Sequence, residues 1–169
     1  MTRGFTRILV PTDFSAPSES ALATAKDLAV RFGASLHLVH VLEDPYAVAA
    51  YSSEALGYLP PGIKASWQQE AEKHLNALLT PGERAQFMAT TTVLFSGSAA
   101  REIVDHARNN HIDLIVMGTH GRGGVAHLLL GSVTERVVRT ATCPVLTVRG
   151  MATARESAPI PAEGVAVAG

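Results

Sequence analysis

Short runs of branched apolar residues, each followed by a stretch with helical spacing, constrain this chain more than any other feature. Residues 7–10, 35–41, 91–95, 112–117 and 144–148 are rich in Val, Ile, Leu and Thr and too short for helices. They read as five strands, four of them strongly apolar. Between the first two, Ala21, Leu22, Ala25, Leu28, Ala29 and Phe32 share one helical face. Ser15-Ala-Pro17 opens that helix with a capping serine and an early proline, and Gly33 closes it. Residues 64–79 carry Trp67, Ala71, Leu75 and Leu78 in helical register and stop at Thr80-Pro-Gly82. Residues 98–109 put Ile103, Val104 and Ala107 on one side, and a last helix runs from Ser132 to about Thr140. Strands separated by helices demand right-handed crossovers and a parallel sheet covered on both faces, a doubly wound α/β fold.

The 169 residues suit one domain, expected over 1–149, with an Ala-, Pro- and Gly-rich tail over 150–169. The stretch 43–62 holds Tyr46, Tyr51 and Tyr58 and is long for a connection, so it reads as a functional or variable loop. Hydrophobic residues make up 47% and charged residues 17%, which excludes a disordered chain. A net charge of −1 gives no basic excess for nucleic acid, so no nucleic-acid partner is expected. No segment approaches a membrane span and no signal-peptide core follows the N-terminus, so no membrane partner is expected either. Cys143 is the one cysteine, which rules out an internal disulfide. These points together predict a cytoplasmic protein.

Ligands of such sheets bind beyond the carboxyl ends of the strands, where the strand order reverses. Two exits are unusual: Pro11-Thr-Asp13 and the glycine-rich loop 118–131. Glycines let backbone approach a ligand closely, and a helix N-terminus follows the second loop, a combination that suits phosphate. Gly121-Arg-Gly123-Gly-Val-Ala126 matches the dinucleotide fingerprint in letters. The helix begins only near Ser132, however, and no acidic residue ends the next strand to hold a ribose. A P-loop would need a lysine, and none lies between Gly118 and Arg149. Ser132 and Glu135 have the spacing of a capping box.

Gly118, two residues, Gly121, nine residues, then Gly131-Ser132 resembles the G-2x-G-9x-G-[ST] signature of ATP-binding universal stress proteins. Ile8-Leu-Val-Pro-Thr-Asp13 and Cys143-Pro-Val-Leu-Thr-Val148 are similar to that family too, so the likeness spans roughly 5–149. The resemblance implies a Rossmann-like sheet of order 3-2-1-4-5 and a homodimer pairing through the last strand. It also implies bound ATP, with or without Mg2+. By the same resemblance Pro11, Thr12 and Asp13 line the adenosine side, with Asp13 near the base, the ribose or a metal. Val41 meets the adenine through its backbone, and Met117 and Gly118 flank the ribose. Gly121, Gly131, Ser132, Val133 and Thr134 hold the phosphates.

Other readings stand beside these. Asp13 could cap its own loop. Arg122, the cation of the glycine loop, either clamps phosphate or sits in solvent. His37 and His40 lie three apart on a strand, so they face opposite ways and cannot chelate one metal. Cys143 reads as packed core rather than as a nucleophile. No general base is evident near a γ-phosphate, so hydrolysis is expected to be slow at most. The functions in view are an ATP-dependent stress or signalling module, a slow ATPase or adenylyl transferase, and an interaction module without nucleotide.

Overall fold

A computed structural model describes residues 4–44, 62–120 and 130–150. In chain order the elements are β1 (Arg7–Pro11), α1 (Ala16–Phe32), β2 (Ser35–Leu42), α2 (Ile63–Ala77), α3 (Pro81–Gln86), β3 (Thr90–Phe95), α4 (Ala99–Asn109), β4 (Leu114–Gly118), α5 (Ser132–Thr140) and β5 (Val145–Val148). The strands form one parallel sheet of order β3-β2-β1-β4-β5. That is the expected doubly wound sheet.

Side chains alternate across each strand, so each strand feeds two cores. Ile8, Val10, Leu36, Leu38, Leu114 and Val116 pack under α1 and α2 against Ala21, Leu22, Ala25 and Leu75. Leu9, Val39, Ile115 and Met117 pack on the other face against Ile103, Val104, Ala107 and Val137 of α4 and α5. The alanines of α1 let it lie close to the sheet. Gly33 ends α1 with φ 65°, a left-handed angle that glycine adopts at no steric cost.

Three local details differ from the sequence reading. Residues 81–86 form α3 where Thr80-Pro-Gly82 had read as a stop. Thr80 and Glu83 make a reciprocal capping box there, and Glu83 also takes the Lys26 ammonium at 2.7 Å. At α5 the expected box between Ser132 and Glu135 is absent. Gly131 occupies the cap, Ser132 is already inside the helix, and the Glu135 carboxylate bonds Arg139 instead. Phe32 shares the apolar face of α1 in sequence but is 45% exposed, leaning its ring edge-on against Phe5.

Asp113, the acid in an otherwise apolar stretch, has a structural task. Its carboxylate accepts from Thr6 N at 2.8 Å, Thr6 Oγ1 at 2.7 Å and Arg7 N at 3.1 Å. This ties the start of β1 to the start of β4.

Candidate functional site

The seam between β1 and β4 opens towards its carboxyl end. β1 is in register with β2 along its whole length, from Arg7↔Ser35 to Pro11↔Val39. Its register with β4 covers only Ile8↔Leu114 and Leu9↔Ile115. Each exit then follows its outer neighbour: Thr12 N donates to Val39 O on β2, and Thr119 N donates to Val148 O on β5, both at 2.9 Å. The two chains diverge, which makes the junction a topological switch point.

The first exit is a tightly bonded turn. Asp13 Oδ1 accepts from Ser15 N at 3.2 Å and from Ser15 Oγ at 2.5 Å. Asp13 therefore shapes its own loop, as the plainer reading of it held. Thr12 is buried, its hydroxyl 3.0 Å from Ser18 Oγ and accepting from Phe14 N at 3.0 Å. His40 Nδ1 donates to Thr12 O at 2.7 Å. Phe14 sits at φ 63°, unusual for a bulky residue, with its ring centroid 4.5 Å from that of His40 and 5.8 Å from that of His74.

The second exit is tied to the start of α5. Gly131 N donates to Thr119 O at 2.7 Å, and the buried Thr134 hydroxyl donates to Gly118 O at 2.8 Å. These bonds hold the first turn of α5 over the end of β4. The N–H groups that open a helix have no partner within it, and they carry its partial positive charge. The two described glycines here differ in role. A Cβ on Gly118 would lie 2.9 Å from Pro17 backbone, so its small size seats α1 against β4. Gly131 has φ −70° and ψ 156°, angles open to any residue.

A cleft of about 270 Å³ lies alongside, walled by Val41, Leu42 and Glu43 from β2, by the loop 96–100, and by Ser132, Val133 and Arg136 of α5. Val41, Ser132 and Val133 were expected at the site, and they meet here. Pro11, Thr12, Asp13, Met117, Gly118, Gly131 and Thr134 stand outside its lining, around the strand ends beside it. Met117 has its side chain in the core, so only its backbone can meet a ligand. Gly121 and Arg122 lie outside the described residues. Ser96, Gly97, Ser98, Glu43 and Arg136 also line the cleft, and the sequence did not single them out as site residues. The rule that ligands gather beyond strand ends applies equally to the exit of β3, and Gly97-Ser98 was its signal.

Elsewhere, burial pushes the Cys143 thiol up from its ordinary value, in keeping with a packing role. His37 lies on the α4 side of β2 and His40 on the α1 side, so they face apart as expected. Burial holds His37 below its usual range, with help from the Arg7 charge. His106 is lowered by burial first and then by His37. Among the described residues no three His, Cys, Asp or Glu side chains converge on a metal position, and no helix is long and apolar enough to cross a membrane.

Known proteins resemble the chain over nearly all of the described fold. The model of the universal stress protein family matches residues 4–149. Universal stress protein YxiE of Bacillus subtilis is 34% identical over 148 residues, covering 86% of this chain and 99% of that one. The solved structure of MJ0577, a universal stress protein of Methanocaldococcus jannaschii, superposes with a TM-score of 0.69 at 27% identity, covering 87% of this chain and 97% of that one. A universal stress protein of Archaeoglobus fulgidus solved in complex with dAMP has the same fold, with a TM-score of 0.59 at 22% identity over 86% of this chain and 99% of that one.

Proposed function

The chain belongs to the universal stress protein family, and on that premise we propose that it binds ATP at the carboxyl end of the β1–β4 seam and acts as a nucleotide-dependent stress or signalling module. The observation that carries this reading is the divergence of the two strand exits beneath the first turn of α5. Such a junction offers backbone donors and a helix N-terminus to an anionic ligand. The G-2x-G-9x-G-S spacing of 118–132 supports it, as does the dAMP held by the Archaeoglobus relative. Gly131 adds to it: its backbone angles do not require glycine, so close ligand approach is a reason to have one there.

In this reading Pro11, Thr12, Asp13, Val41, Met117 and Gly118 surround the adenosine. Gly121, Arg122, Gly131, Ser132, Val133 and Thr134 hold the phosphates, with or without Mg2+. Thr134 contributes through its backbone, because its hydroxyl is committed to Gly118 O. The sequence offers no evident general base for attack on a terminal phosphate, so the reading expects turnover below about 1 per second. The reading includes a cytoplasmic homodimer. β5 lies at the edge of the sheet, and Leu146 and Val138 beside it are exposed, which suits pairing with a second copy.

The test is to denature freshly purified protein, identify any released nucleotide, and titrate stripped protein with ATP and magnesium. Stoichiometric adenine nucleotide, or a micromolar dissociation constant, supports the proposal. Gly131→Val keeps the circular dichroism of the parent and loses ATP binding. A variant that binds ATP as the parent does removes the phosphate cradle and favours an interaction module without nucleotide.

A further inference from the structure

Arg136 stands one helical turn beyond Ser132 and shares with it and Val133 one wall of the cleft. Side chains on a helix lean towards its N-terminus, which carries a long guanidinium arm back towards the first turn. Nearby arginines are engaged: Arg139 pairs with Glu135 and Arg108 with Asp105. Among the described residues Arg136 has no carboxylate partner, although it lines a concave site. The acid of the lining, Glu43, belongs to the opposite wall at the end of β2. The cleft is therefore polarised, positive along α5 and negative at β2.

We infer that Arg136 binds the phosphates beyond the first, so that the site selects adenosine di- and triphosphates over AMP, cyclic AMP and adenosine. This rests on the nucleotide reading above. Helix positions four apart lie about 5–6 Å from one another, so phosphates that extend from Ser132 into the cleft come within reach of Arg136. A guanidinium matches phosphate oxygens with two parallel N–H donors, and its attraction grows with each added phosphate. Glu43 sets the direction: its carboxylate repels phosphate and accepts from amino or hydroxyl groups, which orients the nucleoside towards β2.

The experiment is calorimetric titration of the stripped full chain with ATP, ADP, AMP, cyclic AMP and adenosine, for the parent, R136Q, R136K and R139Q. R136Q weakens ATP and ADP about tenfold and changes AMP and adenosine by less than about twofold. R136K falls between R136Q and the parent, because it keeps the charge and loses the fork. R139Q, a loss of the same charge one turn further along the same helix and outside the cleft lining, matches the parent. The inference is overturned if R136Q keeps the parent's ratio of ATP to AMP affinity, whether by changing neither or by weakening all ligands alike. It is equally overturned if R139Q reproduces the effect. A parent protein that binds none of the five ligands instead sinks the nucleotide reading itself, and this inference with it.

Discussion

At its amino end the seam between β1 and β4 is closed around one residue: the Asp113 carboxylate takes three hydrogen bonds from Thr6 and Arg7, and its backbone N–H donates to Arg7 O. At its carboxyl end the same two strands part, and the polar groups there bond outwards, to β2, to β5 and to the first turn of α5. Both ends use an aspartate and threonines. At the amino end those residues bridge the strands. At the carboxyl end Asp13 shapes its own turn and Thr134 anchors a helix to β4, and neither closes the gap. On the proposed reading the difference separates stability from function: one end holds the sheet together, and the other uses its bonds to shape the turns around a crevice.

The largest effect is expected at Gly118. Gly118→Val drives a branched side chain into Pro17 backbone and costs about 3 kcal/mol, measured by urea unfolding, together with loss of nucleotide binding. Asp113→Ala comes next, at about 2 kcal/mol of stability with nucleotide affinity intact. Should it weaken binding as much as stability, the two ends are coupled and the division fails. Thr134→Val removes one bond and costs about 1 kcal/mol, and it also weakens nucleotide binding by loosening the first turn of α5. A stability loss with unchanged affinity would assign Thr134 to the structural end.

The smallest effect is a pH dependence from outside the seam. His37 and His106 are held below the ordinary value of 6.5, so on falling pH the unfolded chain takes up protons before the folded one. Stability is then full above about pH 6.5 and declines below it. Urea midpoints at descending pH test this, and His106→Gln should flatten the profile. An unaltered slope would deny the pair any part in it.

The five strands and the main helices were legible because each carries its own period and its own stop. The strand order was not, since periodicity says nothing about which strand lies beside which; it came from the resemblance of the motifs. Two Ser/Thr-x-x-Glu patterns show the limit of local reading. Thr80 and Glu83 form the box; Ser132 and Glu135 do not, because Gly131 is fixed by its bond to Thr119 O and Arg139 draws Glu135 away. Both competing partners lie outside the four-residue pattern. Asp113 was visible as an oddity, but its three donors come from residues more than a hundred positions away. Arg136 was hidden for a similar reason: one arginine among several on a helix gains meaning only when the opposite wall is built.

Phe14 adds a consequence for the order in which the molecule assembles. Its left-handed angle is disfavoured for the isolated segment and is held by rings from β2 and α2. When β1 and α1 emerge from synthesis the turn has its local hydrogen bonds but not the ring packing that favours this angle. That packing waits for His40 and then for His74, 60 positions beyond Phe14. The finished crevice is thus a late product of folding, and amide protection at Phe14 and Ser15 should appear after that of β1 in a pulse-labelling experiment. A chain interrupted before α2 would own most of its first core and no finished site.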